Sequence, residues 1–381
     1  MINERVKGFK DYTRKDAIKR AEIKKLLVEI FEKYGFEPAE TPIIEYEEFV
    51  KGENQQDEAV SDIFKLKDKG NRKLALRYEF TFQLKRLIKN RKLPYKRYQI
   101  GPVFRDEPTS SNRFRQITQC DVDIVGSTIK DDAEILALAS DALKALGIKN
   151  TILVGNRGLL NEILDRLKIE QKSRNQVLRE IDKLDKLPKT NVRKNLKKFG
   201  AEKLISILEK SESYFKNFRS YKDIEELKRY CRYYGVSFKF SPSLVRGLSY
   251  YNRNVFEIKG VGMRETICAG GSYAIEGTQC TGISFGLDRL AVLARKDFEK
   301  EKFLIISLNQ DERAISLAKR LREKGKNVSI YYGKPSKALE YANAYGFSKA
   351  IFVGEREIAL GKFKIRDLKN GKEKFVSEED L

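Results

Sequence analysis

The 381-residue chain contains no histidine. That absence removes a Ser-His-Asp triad and a Cys-His pair from its possible chemistry. Any general base must be Asp, Glu, Lys, Tyr or the substrate itself. Cysteine is scarce. Cys120, Cys231, Cys268 and Cys280 are scattered, with no C-x-x-C pair. Zinc sites use closely spaced Cys and His ligands, so no structural metal is expected, and no disulfide either. No apolar run approaches the ~18–20 residues that span a bilayer. The opening "MINERVKGFKDYTRKD" is too charged for a signal peptide. The expectation is a soluble, cytoplasmic protein with no membrane partner. Phosphate-binding glycine signatures are missing as well. "GKPSK" at 333–337 lacks the upstream glycine of a P-loop, and there is no G-x-G-x-x-G.

Acidic residues are in deficit. Lys and Arg number 77 against 55 Asp and Glu, a net charge of +22. The excess lies along the whole chain rather than in one tail. It favours a polyanionic partner, the alternative being a Lys-rich surface with no such partner. Hydrophobic residues make up 41%, enough for a packed core, and the length predicts two or three domains.

Helical spacing runs through 14–34, with Ala21, Leu26, Leu27, Ile30, Phe31 and Tyr34 on one face. Gly35 stops that helix. "EPAETPIIEYEEF" reads as extended, with Pro42 marking an edge or interface strand. "DIFKL" and "KLALR" flank a turn as a hairpin, and 79–90 reads as a short helix. Two strands follow, "RYQIGPVFR" and "FRQITQCDVDIVG", then an amphipathic helix over 131–147. Residues 160–235 are helical in period and lysine-rich, an insertion between strand-rich halves. Strands return at 253–259, 264–270 and 280–285. After residue 300 the pattern is β-α-β-α-β, a small α/β domain.

Three stretches concentrate chemistry. In "FRDEPTSSNRFRQITQCDVDIV" (104–125), strand period two places Gln119, Asp121 and Asp123 on one face, and Cys120, Val122 and Ile124 on the other. The polar face is expected on the exposed side of a sheet. Arg105 shares its face with Val103 and Gly101, and the 106–114 connection is long for a hairpin. The competing reading is a solvated sheet face with weak surface ion pairs. In "SLVRGLSYYNRNVFE" (243–257), an arginine beside a turn and two tyrosines suit an anion with a flat ring, or form an ordinary turn with a core tyrosine pair. In "GISFGLDRLAVLA" (282–294), Arg289 sits in the first turn of a helix, where a bound anion would offset its charge. Alternatively Asp288 pairs locally with Arg289. Gly270 and Gly271 either admit a ligand or kink the sheet.

Taken in this order, the three stretches resemble the class II aminoacyl-tRNA synthetases, and among them the histidyl-tRNA synthetase family. "GPVFRDEPTSSNRFRQITQCDVDIVG" is similar to class II motif 2 and "GISFGLDRL" to motif 3. "LVRGLSYY" resembles the family's LVRGLDYY, "LALRYEFT" its LRPE segment, and "EKYGFEPAETPIIEY" the dimer-forming motif 1. "VGEREIALGKFKIRDLKNG" resembles the anticodon-binding domain. Three departures stand out: Ser249 replaces an Asp, "GGSYAIE" at 270–276 replaces GGRYDGL, and "LRYE" replaces LRPE.

The resemblance implies an α+β fold with an antiparallel-sheet catalytic core. Residues 1–158 and 238–300 would form the core, 159–237 a helical insertion, and 301–381 a C-terminal α/β anticodon-binding domain. It implies a homodimer that ligates histidine to tRNA-His using ATP and Mg2+. Arg105, Arg113 and Arg289 would bind ATP, with Arg105 and Arg246 serving the chemistry at the α-phosphate. Glu79, Thr81, Gln119 and Asp123 would hold the histidine α-amino group and nearby atoms. Tyr250, Tyr251 and Tyr273 would line the imidazole pocket. The runner-up is a non-catalytic paralogue, the regulatory subunit of ATP phosphoribosyltransferase, which generally lacks the anticodon-binding domain.

Overall fold

The structure, a computed structural model, describes residues 3–52, 58–110, 113–185, 187–245 and 250–381. It divides into two units. One comprises the residues up to Tyr12 with Lys19–Lys296, and the other Thr13–Ile18 with Asp297–Leu381.

The first unit is built on an eight-stranded sheet. In spatial order its strands are Glu37–Pro38, Tyr95–Phe104, Gln116–Val125, Thr278–Gly286, Thr266–Ile275, Tyr251–Gly260, Asn150–Asn156 and Lys239–Phe240. The six long strands pair antiparallel, and the two-residue end strands pair parallel with their neighbours. The short, proline-bearing Glu37–Pro38 strand blunts one edge. The "EPAETPIIEY" segment thus divides between two sheets. Its second half, Ile44–Tyr46, joins the expected hairpin of Lys65–Lys67 and Lys73–Leu76 in a three-stranded sheet.

One face of the large sheet is apolar and covered by helices. Cys120, Val122 and Ile124 are fully buried. Phe31, from helix Arg14–Lys33, packs against Tyr98 and Phe285 with ring centroids 5.7 Å away in each case. That helix buries Ile23, Leu27 and Phe31, while Ala21 is exposed, so the true stripe is rotated from the expected one. Helix Ile129–Ala145 buries most of its length and begins with a capping box between Thr128 and Asp131, a device contributing about 1 kcal/mol. From its first turn Asp132 reaches into the sheet. Its carboxylate accepts from Asn254 at 2.8 Å and from Ser272 at 2.9 Å, and burial pushes it up to about 6.

Among the described residues, six α-helices, from Arg157–Arg166 to Tyr221–Tyr233, and a 3-10 turn at Lys183–Asp185 lie in the chain between strands Asn150–Asn156 and Lys239–Phe240. The 79–90 segment is less helical than its period suggests, with a single α-turn at Leu84–Leu87. Phe80, Phe82 and Leu84 are buried on several sides, so packing rather than helix propensity shapes that stretch.

The second unit carries a five-stranded sheet. The order is Asn327–Tyr332, Lys302–Ser307, Lys349–Val353, Lys362–Asp367 and Glu373–Ser377. The first three strands are parallel, as the β-α-β-α-β pattern requires. The last two form an antiparallel extension that the sequence pattern did not separate. Apolar clusters cover both faces of this sheet, around Leu317 and Leu321 on one side and Ala338 and Ala342 on the other.

Candidate active site

The uncovered face of the large sheet floors a cleft of ≈ 1050 Å³. Every described residue of the expected site lines it: Glu79, Thr81, Arg105, Arg113, Gln119, Asp123, Tyr250, Tyr251, Tyr273 and Arg289. Arg246 lies outside the described residues. Three separate stretches of sequence therefore meet at one place, brought together by strand register. Gln119 sits opposite Gly286, Asp121 opposite Ser284, and Asp123 opposite Gly282.

The carboxylates here are not on a solvated sheet face, contrary to the expectation from strand period. Glu79, Asp121 and Asp123 are each about 5% exposed or less. Alternation was read correctly, but the face it defines is a cleft floor enclosed by other segments. Burial pushes Glu79 up to about 7, opposed by hydrogen bonds from Thr81 and Tyr250 and by the charge of Arg105. Burial, reinforced by the neighbouring Asp123, also pushes Asp121 up to about 7. Asp123 is raised by burial and held down by Arg97 and Tyr273.

Each of these groups has a defined setting. Tyr250 donates its hydroxyl to Glu79 Oε2 at 3.2 Å, and the Phe82 amide donates to Glu79 Oε1 at 3.2 Å. Asp123 pairs with Arg97 at 2.8 Å and accepts from the Tyr273 hydroxyl. Tyr250 packs against Tyr251 and Tyr273, with centroids at 4.9 and 5.4 Å. An aromatic-walled pocket with a carboxylate at its base suits a small polar ring. Gln119 donates to Ser284 Oγ at 2.5 Å and accepts from Arg105 at 3.4 Å. Arg105 also donates to the Tyr78 carbonyl at 3.2 Å.

At the other end of the cleft, Arg113 is exposed and pairs with Glu107. Arg289 donates to the Thr266 carbonyl at 2.6 Å. Asp288 accepts from Arg20 at 2.6 Å, from Tyr12 at 2.5 Å and from the Thr118 amide at 3.1 Å. This cluster ties the N-terminal segment and the first helix to the start of helix Leu287–Leu293.

The glycine pair resolves as sheet architecture. A Cβ on Gly270 would lie 2.0 Å from the Gly282 carbonyl oxygen, and the register shifts between Gly271 and Tyr273. Those glycines let strands approach and form a bulge. Gly282 serves the site more directly: a Cβ there would lie 2.2 Å from Asp123 Oδ1.

Sequence reasoning passed over Arg97 and Ser284, and placed Asp121 on the polar strand face without a role. Arg97 was legible in principle, since period two from Arg105 runs back through Val103, Gly101 and Gln99 to it. Ser284 was not, because its placement depends on pairing between strands far apart in sequence. Among the described residues, no group of three or more Cys, Asp or Glu is arranged to hold a metal ion, and all four cysteines are buried and free.

The family model for histidyl-tRNA synthetase matches residues 8–290. The chain belongs to the histidyl-tRNA synthetase family. It is thus a class II aminoacyl-tRNA synthetase by descent, and an anticodon-binding-domain model matches 302–381. Histidine–tRNA ligase 1 of Bacillus anthracis is 32% identical over 97% of this chain and 96% of its own length. The crystal structure of a histidyl-tRNA synthetase from Nostoc sp. PCC 7120 superposes with a TM-score of 0.87 at 23% identity, covering 100% of this chain and 99% of that one. An ATP phosphoribosyltransferase regulatory subunit/histidyl-tRNA synthetase from Bacillus halodurans C gives 0.77 at 22% identity, covering 92% and 98%. The fold is therefore shared by histidyl-tRNA synthetases and a regulatory relative.

Proposed function

We propose that the protein is a histidine–tRNA ligase acting in two steps. The carrying observation is one cleft that combines buried carboxylates and tyrosines at one end with Arg105 and Arg289 toward the other. A cationic amino acid fits the first end and a triphosphate the second.

In the first step a carboxylate oxygen of histidine attacks the α-phosphorus of ATP. The bond to the bridging oxygen breaks and pyrophosphate leaves. In the second step a ribose hydroxyl of the tRNA terminal adenosine attacks the adenylate carbonyl, and AMP leaves. Neither step requires a histidine side chain, because positioning and charge stabilisation supply the catalysis. At ~4 Å and an effective dielectric of roughly 20, each arginine offers about 4 kcal/mol to growing phosphate charge. Arg105, Arg113 and Arg289 are the ATP ligands in this reading, with Arg246 on the α-phosphate. Glu79, Thr81 and Gln119 take the ammonium, and Asp123 with the three tyrosines takes the imidazole. Magnesium arrives with the triphosphate as part of the substrate.

The net charge of +22 and the match of 302–381 to an anticodon-binding domain support tRNA as the polyanionic partner. A homodimer is supported by the apolar residues Ile43, Ile44, Tyr46 and Leu66, which are 38–57% exposed around the three-stranded sheet. Light scattering at micromolar concentration tests it, and a monomer would contradict it. The regulatory paralogue shares the fold, but the anticodon-binding match favours the ligase. The deciding experiment is ATP–pyrophosphate exchange without tRNA against all twenty amino acids. Exchange with histidine alone is expected. A folded dimer inactive with every amino acid would favour the regulatory reading.

A further inference from the structure

We propose that Asp121 is a second anionic anchor for the ammonium group of the amino-acid substrate, beside Glu79. The proposal rests on the ligase reading and adds a residue that the motif correspondence left without a role.

Gln119, Asp121 and Asp123 form a row along one strand, each about 6.8 Å from the next. The two outer members already have protein partners. Gln119 holds Ser284 and accepts from Arg105, at the end where the cations gather. Asp123 pairs with Arg97 and accepts from Tyr273, at the aromatic end. Asp121 stands between them, 5% exposed and lining the cleft; the Ser284 hydroxyl bonds to its carboxylate, but its Oδ1 has no hydrogen-bond partner. A buried carboxylate oxygen without a partner is costly, and a ligand donor would satisfy it.

The order of the row matches the order of groups in the substrate. The carboxylate must face the arginines to reach the α-phosphate. The imidazole must enter the tyrosine-walled end. The ammonium then falls between them, at the level of Asp121. Glu79 lines the same cleft, and its charge raises the Asp121 carboxyl further. Burial holds both carboxyls up to about 7, and an arriving cation favours their charged forms. The competing arrangement is internal: Arg97 Nε is also buried without a partner and attracts Asp121.

The test is the Asp121→Asn variant in the full-length protein, with Asp121→Ser carried alongside in case the first fails to fold. Exchange kinetics would be measured with histidine and with ATP as the varied substrate. The KM for histidine is expected to rise about 10- to 100-fold, the loss of one charge-assisted hydrogen bond, with the KM for ATP unchanged. Two competitive inhibitors locate the contact. Histidinol keeps the ammonium and should weaken in parallel with histidine. Imidazole-4-propionate lacks the ammonium and should bind the variant as it binds the parent. An unchanged KM for histidine in an active variant would overturn the anchor and leave the ligase reading standing. Equal weakening of both inhibitors would also overturn it, placing Asp121 with Arg97 as a support for the pocket. A parent protein inactive in exchange would overturn the ligase reading and the anchor with it.

Discussion

Arg97 and Asp123 form an ion pair of 2.8 Å beneath the cleft, with the arginine fully buried. They sit directly opposite each other on adjacent strands. Arg97 also donates to the Phe80 carbonyl at 3.2 Å, so it links the sheet to the segment that carries Glu79. Removing one member leaves the other as an uncompensated buried charge. Arg97→Met is expected to cost about 3–5 kcal/mol of stability. Combining it with Asp123→Asn should recover part of that loss in denaturant unfolding. A double variant no more stable than the single would mean that the pair contributes through shape and not charge.

Asp121 carries the opposite prediction for stability. Burial and the neighbouring Asp123 push its carboxyl from the free value of 3.8 up to about 7. Between those values the folded state binds more protons, so this group's contribution to stability falls as pH rises through that window. Asp121→Asn should therefore stabilise the ligand-free protein at pH 8 by on the order of 1–3 kcal/mol, and change it little at pH 4. Thermal unfolding at the two pH values decides it. A variant less stable at pH 8 would show that Asp121 is satisfied within the fold.

Arg105 reaches the cleft from the end of its strand, held by Tyr78 and Gln119. Arg105→Ala is expected to lower the exchange rate by about 100- to 1000-fold with the fold intact. Arg246→Ala is expected to abolish adenylate formation. Near-normal exchange in either variant would remove that arginine from the proposed chemistry.

Gly282 leaves room for Asp123. A methyl there would meet both Asp123 Oδ1 at 2.2 Å and the Val122 carbonyl oxygen at 2.6 Å. Because one obstacle is backbone, Gly282→Ala should destabilise by about 1–3 kcal/mol and weaken histidine binding. Unchanged stability and unchanged KM for histidine would show that the sheet yields freely at this point.

The tail from Lys302 has its own sheet and two apolar clusters. Deleting it should weaken tRNA charging far more than adenylate formation. Equal losses in both assays would make the tail structural.

Much of the architecture was legible in local pattern. Strand alternation placed Gln119, Asp121 and Asp123 on one face and three apolar residues on the other, because side-chain direction in a strand depends only on the neighbouring residues. Helical period located the first helix, though packing against Tyr98 and Phe285 rotated its buried stripe toward Ile23. The motif likeness brought Arg105, Arg289 and the tyrosines into one list.

What local pattern could not reach was everything decided by contact between distant segments. The alternation of 119–123 was the same whether its polar face met water or floored a cleft, and only tertiary burial raised those carboxyls. Asp288 found Arg20 and Tyr12, more than 260 residues upstream. The role of Gly282 exists only because Asp123 lies across from it. Period and propensity are properties of a few consecutive residues. Burial, charge pairing and the open oxygen of Asp121 belong to the packed sheet.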